Sequence, residues 1–315
     1  MTNAAQHSGP ESQNKAPQYA RPASIEDWTN KAIVHPVSAV FANIAIRLKI
    51  SANIVSFAGL FAGWIAAYFY FHMDRPLYLF GGLGFMVLWH ILDGADGRVA
   101  RATGTSSAFG RIIDGICDHL VFGAVYIAIL IYLSMNGAPL WVWAIGLAAG
   151  ASHAVQAAGY EERRQKYQRR TRGIDRAQIN ENLKDVGGKK SGLAEAYDKI
   201  QKLVSGGNSP LDATLSDLRG AGLADNAVQA LINKTALIVR AWSLLNANNR
   251  TIMIFIFCAL GLPLWYFIYE ITVLNAVLLA NLWFERRYEA KIAAQGDGVL
   301  KAHNALKGPL NGSAK

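Results

Sequence analysis

Four aspartates stand at the ends of two apolar segments, and they constrain the fold more than any other feature of the chain. The segments meet in the stretch DGADGRVARATGTSSAFGRIIDGICD, which runs from Asp93 to Asp118. Asp93 and Asp96 are spaced i, i+3, and Asp114 and Asp118 are spaced i, i+4, so on helices the side chains of each pair are neighbours. Four carboxylates in a membrane setting repel one another, and a cation must hold them together. Oxygen ligands suit Mg²⁺, Mn²⁺ or Ca²⁺, and two such ions can neutralise four acids while bridging a diphosphate.

The residues between the aspartates favour a bound phosphate. Gly97 and Gly110 remove side chains beside the acids, so a ligand or a neighbouring helix can approach the backbone closely. Arg98 and Arg101 bring permanent positive charge within one helical turn of the carboxylates, where a phosphate would bind. The stretch 103–107 is a short polar turn that offers hydroxyl groups and amides to a nucleotide.

The spacing of this stretch resembles a family signature. It is D-x2-D-G-x2-A-R-x8-G-x3-D-x3-D, filled by Asp93, Asp96, Gly97, Ala100, Arg101, Gly110, Asp114 and Asp118. The pattern is similar to that of the CDP-alcohol phosphotransferases, also called CDP-alcohol phosphatidyltransferases, which are integral membrane enzymes of phospholipid synthesis. The resemblance implies two Mg²⁺ ions, with Mn²⁺ as a substitute, held by the four aspartates, with Asp118 also acting as the catalytic base. It also implies nucleotide contacts from Gly97, Arg101 and Ser107.

The composition favours a membrane protein. The chain has 315 residues, of which 52% are hydrophobic and only 17% charged, and the apolar residues occur in long blocks. A formal net charge of +9 is compatible with nucleic-acid binding. Basic residues beside membrane spans and anionic lipid head groups explain the charge better, so we expect membrane lipids and no nucleic acid as partners.

The order of these blocks predicts an all-α polytopic membrane protein with six transmembrane helices, an N-terminal interfacial helix and a cytoplasmic helical insertion. The six spans are expected at about 53–72, 76–92, 108–133, 140–160, 251–262 and 265–284. The predicted division is a disordered tail at 1–23, the interfacial amphipathic helix at 24–50, transmembrane helices 1–4 with the aspartates at 51–165, the insertion at 166–246, transmembrane helices 5–6 at 247–290 and a polar tail at 291–315.

The start of the first span adds two weaker expectations. Its opening residues NIVS resemble the Pro-Asn-x-x-Ser/Thr entry of the same family, with Ala52 in place of the proline, and this implies nucleotide contacts from Asn53 and Ser56. Gly59 and Gly63 stand four residues apart and predict close packing of this helix against its neighbours.

The distribution of Lys and Arg predicts the orientation in the membrane. The tails, the acidic loop and the 163–250 loop hold nearly all of them, whereas the turns near residues 74, 136 and 263 hold only Arg75. Both termini and the active site are therefore expected on the cytoplasmic side of a bacterial-type inner membrane or its equivalent. Because members of the family are frequently dimers, the resemblance favours a homodimer.

The substrates are less constrained than the reaction. We expect transfer of a phosphatidyl group from a CDP-alcohol, CDP-diacylglycerol first, to an alcohol such as inositol, inositol phosphate or glycerol phosphate, with release of CMP. Arg163, Arg164 and Arg250 are candidates for binding the acceptor, although the simpler explanation for each is an ordinary positive-inside flanking residue. A CDP-choline or CDP-ethanolamine type phosphotransferase acting on a lipid alcohol is one alternative. A cation transporter or channel that uses the acids as its ion site is another.

Overall fold

The computed structural model describes residues 23–106, 108–173 and 209–307, leaving aside the side chains of residues 108–113. Every regular element in these ranges is helical. The α-helices are α1 (His35–Arg47), α2 (Ala52–Phe71), α3 (Pro76–Ala102), α4 (Ala108–Met135), α5 (Trp141–Arg172), α6 (Pro210–Gly220), α7 (Asp225–Lys234), α8 (Ala236–Trp242), α9 (Ala247–Ala259), α10 (Pro263–Tyr269) and α11 (Asn275–Lys307). The first 22 residues of the predicted tail, Ser107, residues 174–208 of the predicted insertion and residues 308–315 lie outside the described part of the chain.

Four of the described helical stretches are long and apolar enough to cross a membrane. They are Ala52–Phe71, Pro76–Ala102, Asp114–Met135 and Pro263–Leu306, the last of which joins α10 to α11. Large apolar side chains on α2 point away from the protein, among them Phe57, Phe61 and Trp64, which are 60%, 63% and 49% exposed. Such a surface suits lipid, and the chain is an integral membrane protein.

The predicted total of six spans stays a prediction. The predicted span at 140–160 lies in α5, where His153 and Gln156 lower the apolar character of the helix. The predicted span at 251–262 corresponds to α9, which has 13 residues. At about 1.5 Å per residue, a helix of that length is shorter than the roughly 30 Å hydrocarbon layer.

The small residues of α2 let α3 and α4 pack closely against it, as the sequence predicts. Gly59 faces α3, where an added Cβ would lie 3.5 Å from the Cβ of Leu92. Gly63 faces α4, where an added Cβ would collide with the side chain of Val121. The helix α2 therefore contacts both α3 and α4, the two helices that carry the aspartates.

The predicted interfacial helix at 24–50 is not one continuous α-helix. A 3₁₀ turn at Ala23–Ile25 and a π-helical segment at Asn30–Val34 precede α1. One face of α1 packs on α3, where Ser38 donates a hydrogen bond of 2.8 Å to the carbonyl oxygen of Ile91. The opposite face exposes large apolar side chains, including Val40 at 57%. The interfacial position of this segment stays a prediction, and the structure divides the segment into these three shorter elements.

The ends of α5 and α11 beyond the apolar core are joined by a stripe of buried charges. On α5, Arg163 lies 2.8 Å from Glu285, and Lys166 lies 2.9 Å from Glu289. One turn further, Arg170 lies 2.7 Å from Glu289. Together with α6 and α7, these helix ends enclose a second apolar core that is separate from the one between α2, α3 and α4. The described part of the predicted insertion is therefore a packed helical unit.

Candidate metal centre

Three of the four predicted ligands converge at the junction of α3 and α4. Asp93 and Asp96 lie one turn apart near the end of α3, and Asp114 lies near the beginning of α4. One carboxylate oxygen from each lies within 4.8 Å of the others. Asp96 is 6% exposed, and the other two are half-buried. Ionised carboxylates held this closely repel one another, and a cation between them would relieve that repulsion.

Asp118 lies one turn after Asp114 on the same helix. It is within hydrogen-bonding reach of the Asp93 carboxyl group, and its own Oδ1 is buried without a hydrogen-bond partner. A buried polar atom without a partner is costly, so this oxygen of Asp118 is available to a ligand. The four side chains offer only carboxylate oxygens, a donor set that fits Mg²⁺ or Mn²⁺ better than Zn²⁺. The residues present therefore fit the divalent ions that the family resemblance implies.

Ser56 has a more specific position than the sequence predicts. Its hydroxyl group, near the start of α2, donates a hydrogen bond to Oδ2 of Asp96. The structure thus places this predicted nucleotide contact against one of the carboxylates, where it orients the acid. Asn53 is exposed in the first turn of α2, three residues before Ser56.

Gly97 and Arg101 stand one turn apart at the end of α3. A Cβ added at Gly97 would lie 3.1 Å from Nη1 of Arg101, so the glycine leaves room for the guanidinium along the helix. Arg101 is within electrostatic reach of Asp96 and Asp114. A phosphate bound at the carboxylates through cations would therefore meet a permanent positive charge. Ser107, the remaining predicted nucleotide contact, lies outside the described residues.

Comparison with known proteins agrees with this arrangement. Residues 49–173 match the family model of the CDP-alcohol phosphatidyltransferases. This range includes α2 to α5 and all four aspartates. Residues 49–173 belong to the CDP-alcohol phosphatidyltransferase family.

Curated relatives of the CDP-alcohol phosphatidyltransferase domain are named phosphatidylinositol phosphate synthase. The protein of that name from Mycobacterium tuberculosis is 28% identical over 112 residues, which are 35% of this chain and 49% of the relative. The one from Mycolicibacterium smegmatis is 34% identical over 90 residues, which are 29% of this chain and 39% of the relative. The chain thus spans at most about half the length of the curated relatives it matches.

Two of the three arginines that were predicted to bind the acceptor, Arg163 and Arg250, form ion pairs with buried glutamates instead. Arg163, in the CDP-alcohol phosphatidyltransferase domain, pairs with Glu285 and lies over the ring of Trp242 at 4.0 Å. Arg250, beyond the domain, is 2% exposed and pairs with Glu270 at 3.1 Å. These arginines hold helices together.

The third candidate, Arg164, pairs with Glu161 and lies within electrostatic reach of Asp93 and Asp114. Its Nη2 lies 3.0 Å from Glu161, and its Nε is buried without a hydrogen-bond partner. Burial opposes its positive charge, but Glu161 and, further away, Asp93 and Asp114 outweigh that effect and raise the pKa of the guanidinium above its ordinary value. Arg164 is therefore charged within electrostatic reach of the metal centre.

The partners of the buried arginines are missing from the sequence-based prediction. Glu270 and Glu285 lie 20 and 122 residues from Arg250 and Arg163 respectively. Glu270 is an acid within a predicted span, whereas Glu285 lies just past the end of one, next to Arg286 and Arg287. Neither position shows which cation the acid pairs with.

Proposed function

We propose that the protein is a phospholipid-synthesising transferase of the membrane. It moves a phosphatidyl group from a CDP-alcohol, CDP-diacylglycerol in the first instance, to an alcohol acceptor and releases CMP. The observation that carries this proposal is the convergence of Asp93, Asp96 and Asp114 within 4.8 Å, with the unpartnered oxygen of Asp118 beside them. The family match and the names of the relatives support the reaction class and favour an inositol-based acceptor.

Each residue of the site has a role in this proposal. The four aspartates hold two divalent ions, Mg²⁺ with Mn²⁺ as a substitute, and these ions supply charge stabilisation for the diphosphate and the departing CMP. Ser56 orients Asp96. Arg101 binds the phosphates of the nucleotide beside Gly97, where the backbone is accessible, and Ser107 and Asn53 contribute nucleotide contacts.

Asp118 is the proposed catalytic base. It accepts the proton of the acceptor hydroxyl group as that oxygen attacks the phosphorus that carries the diacylglycerol. The bond from this phosphorus to the bridging oxygen breaks, and CMP leaves with the electron pair. A carboxylate close to cations is a weak base, so the site depends on holding the hydroxyl group next to Asp118.

We also propose that the metal centre opens to the cytoplasm. Basic residues are concentrated at the end of α5, which lies at the same side of the protein as the aspartates, and the positive-inside rule places that side in the cytoplasm. CDP-activated substrates are available there. A homodimer in a bacterial-type inner membrane is part of the same proposal.

The test is CMP release by the purified protein with Mg²⁺, CDP-diacylglycerol and a panel of alcohols. We expect release that depends on an acceptor and is abolished in Asp118→Asn, whereas Asp74→Asn, at an exposed residue of the turn between α2 and α3, keeps full activity. Release only from CDP-choline or CDP-ethanolamine with a lipid alcohol would show the alternative transferase. Metal-dependent ion flux into liposomes without CMP release would show a transporter and refute the proposal.

A further inference from the structure

The outer face of α8 carries apolar side chains that the described part of the chain leaves exposed. Leu237 is 47% exposed and Leu244 is 55% exposed, and Arg240 between them is exposed as well. Their spacing of i, i+3 and i+7 puts them in one row along α8 and the 3₁₀ turn at Ser243–Leu245 that continues it. These three residues form the α8 stripe. An exposed apolar row of this kind marks a surface for a partner or for lipid.

The inner face of α8 packs against the apolar part of α11. The buried cluster between them consists of Ile238, Trp242 and Leu245 on one side and Leu274 and Leu278 on the other. One turn further along α11, Nδ2 of Asn281 donates a hydrogen bond of 3.1 Å to the carbonyl oxygen of Ala241. These α11 contacts lie within Pro263–Leu306, a stretch long and apolar enough to cross a membrane. The helix α8 therefore lies beside the apolar part of α11.

The contacts at the two ends of α8 show its direction along α11. Near its start, Ile238 lines a small space with Glu285 and Glu289, which belong to the charged end of α11. Just after α8, the carbonyl oxygen of Leu245 accepts a hydrogen bond from the guanidinium that pairs with Glu270. Glu270 and Glu285 lie roughly 20 Å apart along the helix axis. Thus α8 descends from the charged end of α11 towards its apolar middle, and Leu244 lies deeper than Leu237.

The outer surface of α11 at this depth suits lipid. Leu279 and Trp283 are 66% and 61% exposed. Arg287 lies over the ring of Trp283 at 4.8 Å, and such a pair of aromatic and basic residues is typical of the boundary between hydrocarbon and head groups. Because α8 lies beside the same part of α11, the α8 stripe has the same depth as a surface that faces lipid.

Arg240 suits the boundary of a bilayer. Its Nε donates a hydrogen bond of 2.8 Å to the carbonyl oxygen of Ser24, which holds the side chain at the surface of the protein. An arginine can lay its methylene groups on an apolar surface and extend its charge to the head groups. The phosphates of anionic lipids attract such a cation at the cytoplasmic leaflet. The charge in the middle of the stripe therefore favours lipid over a purely apolar protein partner.

We propose that α8 docks on the membrane, with Leu237 and Leu244 among the acyl chains and Arg240 at the phosphate of an anionic phospholipid head group. The predicted cytoplasmic insertion then ends at about residue 235, and α8 belongs to the membrane part of the protein. This proposal is independent of the transferase function.

The docking also positions the segment that precedes α1. Arg240 binds the carbonyl oxygen of Ser24, and Nδ2 of Asn246 donates a hydrogen bond of 2.7 Å to Asp27. These contacts join residues 24–27 to α8 and to the turn that follows it. The segment before α1 is therefore held at the membrane surface together with α8.

The test is site-directed spin labelling of the full-length protein in vesicles of phosphatidylcholine and phosphatidylglycerol. Leu237→Cys and Leu244→Cys each carry a nitroxide, and its collision rates with oxygen and with a water-soluble nickel chelate report its depth. Leu279→Cys on α11 is the lipid reference, and Ser216→Cys, at an exposed residue of α6, is the water reference. Because both native cysteines are buried, the unsubstituted protein is the blank for labelling.

We expect the label at Leu244 to match the label at Leu279, with frequent oxygen collisions and few nickel collisions. The label at Leu237 should lie nearer the surface, with an oxygen-to-nickel ratio that still exceeds the ratio at Ser216. In vesicles of phosphatidylcholine alone this label should become shallower, and Arg240→Gln should give the same shallower position in the mixed vesicles. Arg75→Gln, at an exposed arginine between α2 and α3, is the matched control and should leave the depth unchanged.

Three results would contradict the proposal. Nickel collisions at Leu244 as frequent as those at Ser216 would place α8 in water and overturn the docking. Protection of both α8 labels from oxygen and nickel alike would show that another protein surface, such as a second copy of the chain, covers the stripe, and would also overturn it. An equal depth of the Leu237 label in both kinds of vesicle would overturn the assignment of Arg240 to an anionic head group.

Discussion

The buried pair of Arg250 and Glu270 provides a sharp test of whether Arg250 supports the fold or binds the substrate. Arg250 is 2% exposed and Glu270 is fully buried. Removing one member of such a pair leaves an uncompensated charge and costs about 3–5 kcal/mol. We therefore expect Arg250→Met to lower the free energy of unfolding by that amount. An exposed control, Arg75→Met in the turn before α3, should change it by less than about 0.5 kcal/mol.

The measurement is equilibrium unfolding in detergent micelles, followed by the fluorescence of tryptophan. A second substitution, Glu270→Gln, removes the remaining charge, so the double variant should be about 2–3 kcal/mol more stable than the sum of the two single losses predicts. If Arg250→Met unfolds like the wild type and instead raises KM for the acceptor, then Arg250 binds substrate and our interpretation of its contacts is wrong.

The remaining predictions concern packing, the metal and the α5–α11 contact. Gly63→Ala should lower the free energy of unfolding by about 1–3 kcal/mol because the new methyl group collides with Val121. Gly150→Ala, with open space around it, should leave the free energy of unfolding unchanged, and equal stability of the two variants would contradict this packing. Removal of divalent ions with EDTA should abolish CMP release, and Mg²⁺ or Mn²⁺ should restore it; activity in EDTA would exclude the metal role. Asp118→Asn should lower kcat at least about 100-fold in a folded protein, and a smaller loss would exclude it as the base. Glu289→Gln should make the chain easier to cleave by protease at the ends of α5 and α11, because Lys166 and Arg170 lose the carboxylate that they share. An unchanged rate of cleavage would show that these buried charges are not needed to hold the two helix ends together.

Local patterns predict the membrane core well. The uncharged block at 53–72 and the glycine spacing within it correspond to α2 at Ala52–Phe71 and its close contacts with α3 and α4. Hydrophobic length and small residues are properties of neighbouring positions in the sequence, so they can be recognised without knowledge of the fold. Whether the short helix α9 and the partly polar helix α5 cross the membrane is harder to predict from the sequence, because a helix surrounded by other helices need not be long or wholly apolar.

The convergence of Asp93, Asp96 and Asp114 was predictable for the same reason, since these acids lie within one short stretch of sequence. The partners of the arginines were not. Arg163 and Arg164 are adjacent in the sequence, yet a rotation of about 100° around α5 separates their side chains, so that Arg163 pairs with Glu285 and Arg164 with Glu161. Glu26 likewise lies near Tyr160 and Arg164 only because the segment before α1 folds back against α5. These contacts depend on the tertiary arrangement.

The most direct test of the account is the binding of Mn²⁺ to the purified protein, measured by electron paramagnetic resonance with CDP present. The account predicts two bound ions per chain in the wild type, weakened binding in Asp93→Asn and Asp114→Asn, and no change in Asp74→Asn. Absence of specific Mn²⁺ binding in the wild type, or binding that survives in both aspartate variants, would contradict it.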